Sequence, residues 1–401
     1  MLGAIYTGLS GMNAYSKGLQ TISDNVANLN TNGFKSTTVT FNDMFSTGGG
    51  GLTFLDNHAQ KSGSGVKIGD PLIDFSEGDL RQTDNDLDLA IQGSGFLILQ
   101  NDDKTYYTRT GQFVVDKDGY ISEKNTGYHL AVLDAVGHPT AVNVDTKRTS
   151  APVVTTKVTF AENISSSETT ATVEDVDVYD DRGGKHVWTV TLTKDTSPGA
   201  TDQWNVAVQD ADGTPVQMSP TGSVLKFIGS TVDPSTGQLT VTEDPDGADP
   251  LTVTLDFSAG VTSYSSGTSN TLRAASVDGS GVGALTSVTV DENGQVKLTY
   301  SNEKTELMGA VALADFRDPQ QLERVGNGLY RNSGAGEMRL LSSGVNGVGT
   351  LVSKQLEASN VDLSQEFGDL ILIQRGFQAC SQVVSVTNDM IQQLFGMRGQ
   401  G

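Results

Sequence analysis

Two apolar stripes, one at each end of the chain, constrain the fold more than any other feature of the sequence. Near the amino end, apolar residues recur every three to four positions, which is the period of one helix face. Near the carboxyl end they recur every seventh position, with further members four positions on, as in a coiled-coil heptad. The first stripe comprises Leu2, Ile5, Leu9, Met12, Leu19, Ile22, Val26 and Leu29. The second comprises Leu356, Leu363, Phe367, Leu370, Phe377, Val384, Ile391 and Phe395.

Each stripe predicts a helix that needs a partner. The first pattern stops in the run from Asn28 to Gly33, where Asn and Gly favour a left-handed turn. Asp362 precedes the second pattern as a candidate N-cap, with Gln365 three residues later as in a capping box. A single helix of this kind frays in water unless another surface covers its apolar face. We therefore expect the two ends to pair as a coiled coil.

The middle of the chain predicts β-structure. Runs such as LDLAIQGSGFLIL (87–99) alternate apolar and polar residues, and Asp118-Gly119 and Asn293-Gly294 are typical hairpin turns. The predicted fold class is mixed and mainly β, with β-rich inner and outer domains and paired terminal helices. The predicted boundaries are a helical region at 1–33 and 356–401, a connector at 34–70, an inner β domain at 71–144 and 285–355, and an inserted outer β domain at 145–284.

Charge limits the possible partners. The net charge of −22 argues against nucleic acid and against an anionic membrane face. Residues 1–41 carry a net +1 and residues 352–401 a net −2, so the remaining −21 lies between them. The near-neutral ends can approach other copies with little repulsion. No stretch approaches the roughly 20 apolar residues needed to span a bilayer. The N-terminus lacks a basic leader followed by an apolar block, so no cleaved signal peptide is predicted.

Motifs for chemistry are not found in the sequence. The four histidines are scattered, and the Gly-rich runs match neither a P-loop nor a dinucleotide-binding fingerprint. The acidic runs at 84–89 and 175–181 do not fit an EF-hand loop, which favours a solvated acidic face over a Ca²⁺ site. Cys380, the single cysteine, is interpreted as a packing residue. We therefore predict no catalytic residue, no metal and no cofactor.

Several long motifs carry a family resemblance. The segment LSGMNAYSKGLQTISDNVANLNTNGFK (9–35) resembles the N-terminal signature of the bacterial flagellar rod and hook proteins. The segment at 356–384 resembles their C-terminal signature. LDLAIQGSGFL (87–97), YTRTGQFVVDKDGYI (107–121) and ERVGNGLY (323–330) resemble their shared middle domain. The insert of about 140 residues at 145–284 favours a hook-type member, and the long connector between Phe45 and Val66 leans slightly toward the distal rod.

The resemblance implies a structural homopolymer: a hollow, bendable tube that carries motor torque, with the terminal helices lining its channel. It also implies export without a cleaved signal through the flagellar type III apparatus to a place outside the cell envelope. Implied partners are the rod, the hook cap, the hook–filament junction proteins and the export gate, with no nucleic acid and no membrane insertion. Phe41 and Phe45 resemble the family's export motif, although plain packing would give the same pattern.

Two alternatives are kept. A distal-rod or rod-like subunit would form a rigid, straight assembly from the same kind of helices. A secreted β-rich adhesin or enzyme would use its end helices for a small closed oligomer and would show ligand-binding or hydrolytic activity.

Overall fold

A computed structural model confirms the predicted fold class, with a helix at each end and strands between them. The structure describes residues 2–45, 63–102, 104–198, 202–219, 223–245, 248–334 and 337–398. The chain forms two compact units. The first comprises Met1–Val144, Thr289–Lys297 and Leu307–Gly401, and the second comprises Asp145–Val288 and Leu298–Glu306.

Helix α1 ends, and helix α2 begins, where the sequence signals predict. Helix α1 spans Leu2–Ala27 and is followed by turns that reach Gly33, whose φ of +69° suits glycine. Helix α2 spans Leu363–Arg398. The Asp362 carboxylate accepts hydrogen bonds from the backbone N–H groups of Ser364 (2.8 Å) and Gln365 (3.3 Å), which confirms the predicted N-cap. Neither helix is long and apolar enough, over its described residues, to cross a membrane.

The strands are short and lie almost entirely between the helices. The first group comprises β1 Thr37–Thr38, β2 Phe41–Phe45, β3 Gly63–Ile68, β4 Leu72–Ile73, β5 Leu80–Gln82, β6 Asp88–Gln92, β7 Phe96–Asn101, β8 Lys104–Thr108, β9 Thr110–Val115, β10 Ile121–Glu123, β11 His129–Leu133 and β12 Pro139–Ala141. The next comprises β13 Thr149–Ser150, β14 Lys157–Asn163, β15 Thr170–Tyr179, β16 Lys185–Lys194, β17 Gln203–Asp210, β18 Gln217–Ser219, β19 Val224–Ile228, β20 Thr231–Val232, β21 Gln238–Glu243, β22 Leu251–Asp256, β23 Val261–Thr262 and β24 Arg273–Val277. The last comprises β25 Gly283–Val290, β26 Gln295–Tyr300, β27 Thr305–Ala310, β28 Leu313–Phe316, β29 Leu322–Gly326, β30 Leu329–Asn332, β31 Met338–Leu341, β32 Thr350–Ser353 and β33 Gln355–Glu357.

The first unit is built on one large sheet in the order β29-β30-β8-β7-β11-β10-β9-β6-β32, with β28 paired to β7. Segments that precede and follow the second unit in the sequence meet in this sheet, since Leu313 of β28 lies opposite Leu97 of β7. Aromatic rings hold them together: Phe96 lies 5.7 Å from Phe316 and 5.8 Å from Tyr330, between ring centroids. The short pairs β1–β4, β2–β3 and β5–β33 complete the unit.

The second unit has its own sheet, in the order β15-β16-β17-β19-β20-β23-β14-β22-β21-β18. Its strands alternate buried and exposed residues, as in β17, because one face covers a core. Both tryptophans of the chain, Trp188 and Trp204, are buried in this core. At the end of β22 the buried Asp256 pairs with Lys157, with 2.6 Å between Oδ2 and Nζ.

Candidate assembly surface on the terminal helices

The two terminal helices pack against each other in antiparallel directions. Gly8, near the start of α1, lies against Val384, in the second half of α2. Asn25, near the end of α1, donates a 2.8 Å hydrogen bond from Nδ2 to Oε1 of Glu366, in the first turn of α2. The expected pairing of the two ends is therefore present within one chain.

Glycine lines the contact between these helices. A Cβ atom added to Gly11 would lie 2.6 Å from Cys380 Sγ, and one added to Gly376 would lie 2.5 Å from Cζ of the Tyr15 ring. Both distances are far below van der Waals contact, so a larger residue would require these side chains or the helices themselves to shift. We call this contact the glycine seam, formed by Gly8, Gly11, Gly18 and Gly376.

Only part of the predicted stripe of α1 is buried. Ile22 is buried, while Leu9 and Leu19 are exposed. Four other members are half-buried: Ile5, Met12, Val26 and Leu29. The side chain of Leu2 lies outside the described residues. The stripe therefore borders the glycine seam, and its role in contacts between copies stays a prediction.

The predicted stripe of α2 divides in the same way. Leu356 lies outside the helix, buried in strand β33, where it pairs with Arg81 of β5. Its place in the heptad count is a coincidence of spacing, because the helix starts only after the Asp362 cap. Leu370, Val384 and Ile391 are half-buried. The exposed members are Leu363, Phe367, Phe377 and Phe395.

Further apolar residues of α2 are exposed that the heptad count did not include. Together with the four above they make a set that we call the outer stripe, although at about 100° per residue its members are spread around much of the helix. Phe367 is 51% exposed and Phe395 is 69% exposed, which is unusual for side chains of this size. The outer stripe comprises Leu363, Phe367, Ile371, Leu372, Phe377, Val383, Val386, Met390, Leu394 and Phe395.

Helix α2 also extends beyond its partner. Because Gly8 lies against Val384 and the helices run antiparallel, the start of α1 reaches only about residue 390 of α2. Leu394 and Phe395 lie past that point, and both are exposed. Within one chain, α1 cannot cover this end of the outer stripe.

A buried ionic cluster fixes the point where both helices join the β-structure of the first unit. Lys35 follows α1, Glu357 precedes α2, and Arg109 lies between β8 and β9; all three are buried. Glu357 accepts from Lys35 Nζ at 2.5 Å and from Arg109 Nε at 3.2 Å. Burial lowers the pKa of Lys35, and the charge of Glu357 opposes that shift. The cluster holds the two helix roots side by side. Its members are far apart in sequence, so no local pattern announces it.

The candidate export motif lies in strand β2. The ring of Phe41 is 5.3 Å from the ring of Tyr15 on α1, and the side chain is 40% exposed. The side chain of Phe45 lies outside the described residues, as does most of the Gly-rich connector that follows it. Packing explains Phe41 in the folded chain, and the export role stays a prediction.

The terminal helices offer apolar surface rather than chemistry. In the part of the chain that the structure describes, no three His, Cys, Asp or Glu residues are grouped so that they could hold a metal ion. Cys380 is half-buried within the helix pair, against Gly11. What this surface can do is bind another apolar surface.

Family models match the chain in four successive segments. They are the Flagella basal body rod protein (5–35), the Flagellar hook protein FlgE/F/G D1 domain (90–164), the Flagellar basal body protein FlaE D2 domain (143–280) and the Flagellar basal body rod FlgEFG protein C-terminal (352–397). The first and last of these segments contain most of α1 and α2.

Complete relatives match as well. The flagellar hook protein FlgE of Escherichia coli K12 is 30% identical, over 97% of this chain and 98% of that protein. The corresponding protein of Treponema pallidum is 28% identical, over 99% of this chain and all of that protein. The crystal structure of Helicobacter pylori flagellar hook protein FlgE2 covers 69% of this chain and all of that one, with 16% identity and a TM-score of 0.44. The match to a 30% identical relative along nearly its whole length shows that this chain belongs to the flagellar hook protein family.

Proposed function

We propose that this chain is the structural subunit of a bacterial flagellar hook, which self-assembles into a hollow, bendable helical tube that carries motor torque from rod to filament. The single observation that carries the proposal is the outer stripe, a set of ten apolar side chains that one chain leaves exposed on its near-neutral C-terminal helix. Full-length likeness to flagellar hook proteins supports the same function. The role is structural, and no catalytic step is assigned.

The energetics favour many neighbours over one. Full burial of an apolar side chain contributes about 1.5–3 kcal/mol. Covering the exposed half of ten such side chains would therefore contribute roughly 8–15 kcal/mol, which is about what one association costs in lost motion. Association with a single partner would therefore yield little net free energy. In a helical array, several faces of each helix pair are covered, and every contact adds to the free energy of association.

We infer that the tube bends through shifts between outer domains. The second unit begins at Asp145 and has its own core, which supports an outer domain separate from the inner one. Its strands carry many Thr, Ser and Asp residues, and such surfaces form hydrated contacts that can slide. In the tube, the rigid element would be the helix pair covered by neighbouring copies, together with its buried ionic root. Torque would pass through that root, while outer domains shift against one another.

The remaining partners follow from the family. We infer contacts with the rod, the hook cap and the hook–filament junction proteins, and passage through the export gate without a cleaved signal to a place outside the cell envelope. Phe41 and Phe45 would engage the gate before the chain folds. The rod alternative is less favoured, because the complete relatives are hook proteins and the D2 model matches the insert.

Substitutions on the outer stripe test the function. Leu372→Ser and Leu394→Ser remove apolar surface that is 66% and 46% exposed, so the folded chain should tolerate both. We expect the double variant to stay soluble under salting-out conditions in which the unaltered chain forms curved tubes visible by negative-stain electron microscopy. Ile228→Ser, on an equally exposed residue of the second unit, is the matched control and should still form tubes. Small closed oligomers from the unaltered chain, or normal tubes from the double variant, would refute the proposal.

A further inference from the structure

One polar pair interrupts the apolar contact between the terminal helices. Asn25 and Glu366 are both buried, at 2% and 8% exposure. Over the described residues, their hydrogen bond is the one side-chain bond that joins α1 to α2. The Asn25 amide is fixed in orientation, since its Oδ1 accepts from Thr37 N–H at 3.0 Å and its Nδ2 also donates to Thr37 O at 2.9 Å. Asn25 therefore offers Glu366 a single neutral donor.

The surroundings of Glu366 are acidic. Asp362, the N-cap of α2, lies one turn before it and Asp369 one turn after it, and Asp74 lines the same cavity of about 530 Å³. The Asp362 carboxylate accepts a hydrogen bond from the helix N-terminus as its cap. Among the described residues that line the cavity, none is Lys or Arg. An ionised Glu366 would thus be buried without a cation, next to other carboxylates.

Burial raises the pKa of Glu366, the hydrogen bond from Asn25 opposes the shift, and the charges of Asp369 and Asp362 add to it. The positive end of α2 also favours the anion, because Glu366 lies in the first turn. Burial and the acidic neighbours outweigh both opposing effects. The folded chain therefore binds this proton more tightly than the unfolded chain does.

We propose that the proton on Glu366 controls the pairing of the terminal helices, which close when the carboxyl group is protonated and loosen when it ionises. This inference rests on the proposed function, because the pairing shapes the surface that is offered to other copies. The sign follows from the raised pKa: the stabilisation is complete below the ordinary value of 4.5 and is lost as the pH rises through the folded value. Assembly would thus be favoured at mildly acidic pH.

Cys380 supplies a probe for this pairing in the full-length chain. It is the single cysteine, and its Sγ lies within the glycine seam against Gly11. The rate of its reaction with N-ethylmaleimide, divided by the rate for the same chain in urea at the same pH, measures how often the helix pair opens. One proton linked to closure changes this ratio by up to about tenfold per pH unit.

Three variants isolate the carboxyl group. Glu366→Gln mimics the protonated state and should keep the thiol protected as the pH rises above 4.5, whereas the unaltered chain should lose protection over that rise. Asp389→Asn removes the same charge from an exposed site near the far end of α2, and should lose protection as the unaltered chain does. Asp369→Asn removes a neighbour that raises the pKa of Glu366, so its loss of protection should move to lower pH.

The outcomes separate this inference from the proposed function. A pH profile that is the same in Glu366→Gln and in the unaltered chain would overturn the inference, even if tubes form. A thiol that is unprotected at every pH would overturn it too, because the pairing would be absent. If Glu366→Gln fails to fold, an unmoved profile in Asp369→Asn would overturn the inference, and a shift to lower pH would sustain it. A flat profile in Glu366→Gln together with failure to form tubes would sustain the control of pairing and reject the hook.

Discussion

Adding one methyl group to α2 should have clearly different effects at two glycines of the same helix. Gly376 lies in the glycine seam, where a Cβ atom would meet three atoms of the Tyr15 ring at 2.5–2.8 Å. Gly368 lies eight residues earlier, and a Cβ atom there would have no neighbour within 4 Å. The Tyr15 ring also contacts Phe41, with 5.3 Å between the ring centroids, so moving Tyr15 disturbs a second contact. Gly376→Ala and Gly368→Ala are therefore a matched pair.

The magnitudes can be set against each other. Replacing an interior glycine with alanine favours a helix by about 1 kcal/mol at either position. Overpacking a tight contact costs about 1–3 kcal/mol, and only Gly376→Ala incurs this cost. Gly368→Ala should thus stabilise the helix pair by about 1 kcal/mol. The helix pair of Gly376→Ala should be about 1–3 kcal/mol less stable than that of Gly368→Ala. At 1.4 kcal/mol per factor of ten, the two variants should differ roughly five- to hundredfold in helix opening.

Hydrogen exchange followed by mass spectrometry on peptides from 363–398 measures this difference in the full-length chain. Peptides from the second unit serve as an internal reference and should not change. Tyr15→Ala makes room for the new methyl group, so it should remove most of the extra exchange in Gly376→Ala. Equal protection in the two alanine variants, or no rescue by Tyr15→Ala, would refute the close approach of the helices at Gly376.

Two further predictions concern the two units. Lys157 and Ser258 hold the pKa of Asp256 at about 2 although burial opposes them; this stabilisation of about 2 kcal/mol is present above pH 4 and lost as the pH falls toward 2. Tryptophan fluorescence in urea, which reports the second unit alone, should show Asp256→Asn about 2 kcal/mol less stable than the unaltered chain near pH 7. This difference in unfolding free energy should close by pH 2, and a difference that stays constant with pH would contradict the linkage. Glu357→Gln leaves two buried cations and should cost the first unit about 3–5 kcal/mol by hydrogen exchange. Glu323→Gln, in an exposed pair, should cost under about 1 kcal/mol, and equal losses would contradict the role of burial.

The sequence predicted what depends on local patterns. The stop after Ala27 and the cap at Asp362 follow from turn and cap chemistry that acts over a few residues. The mainly β middle was predicted from apolar runs and hairpin turns; the run at 87–99 does form β6 and β7, but successive residues there are buried, so the expected alternation is wrong for these strands. Family motifs at both ends predicted the hook family, which the complete relatives confirm. Each of these signals is carried by neighbours in the chain.

What the sequence could not supply depends on contacts across long separations. Lys35, Arg109 and Glu357 meet only because the fold brings three distant segments together. Leu356 fits the heptad by spacing, yet pairing with β5 places it in a strand. The glycine seam was missed for a different reason. A search for apolar residues scores Gly11 as a defect of the helix, whereas here the absence of a side chain is what permits the contact.

The two faces of α2 suggest an order of events in the proposed polymer. The glycine seam brings the helices close but buries few large side chains, so it contributes little hydrophobic stabilisation. The outer stripe holds large apolar side chains that one chain leaves exposed, and in the proposed polymer other copies would bury them. Pairing within one chain would then be weak, and each added copy would strengthen the pair that it covers, because a partner that binds only the closed form stabilises that form. A heptad count finds the large residues correctly but cannot assign them to the inner or the outer face. That assignment follows from the glycines, because a face without side chains is the one that two helix backbones can share.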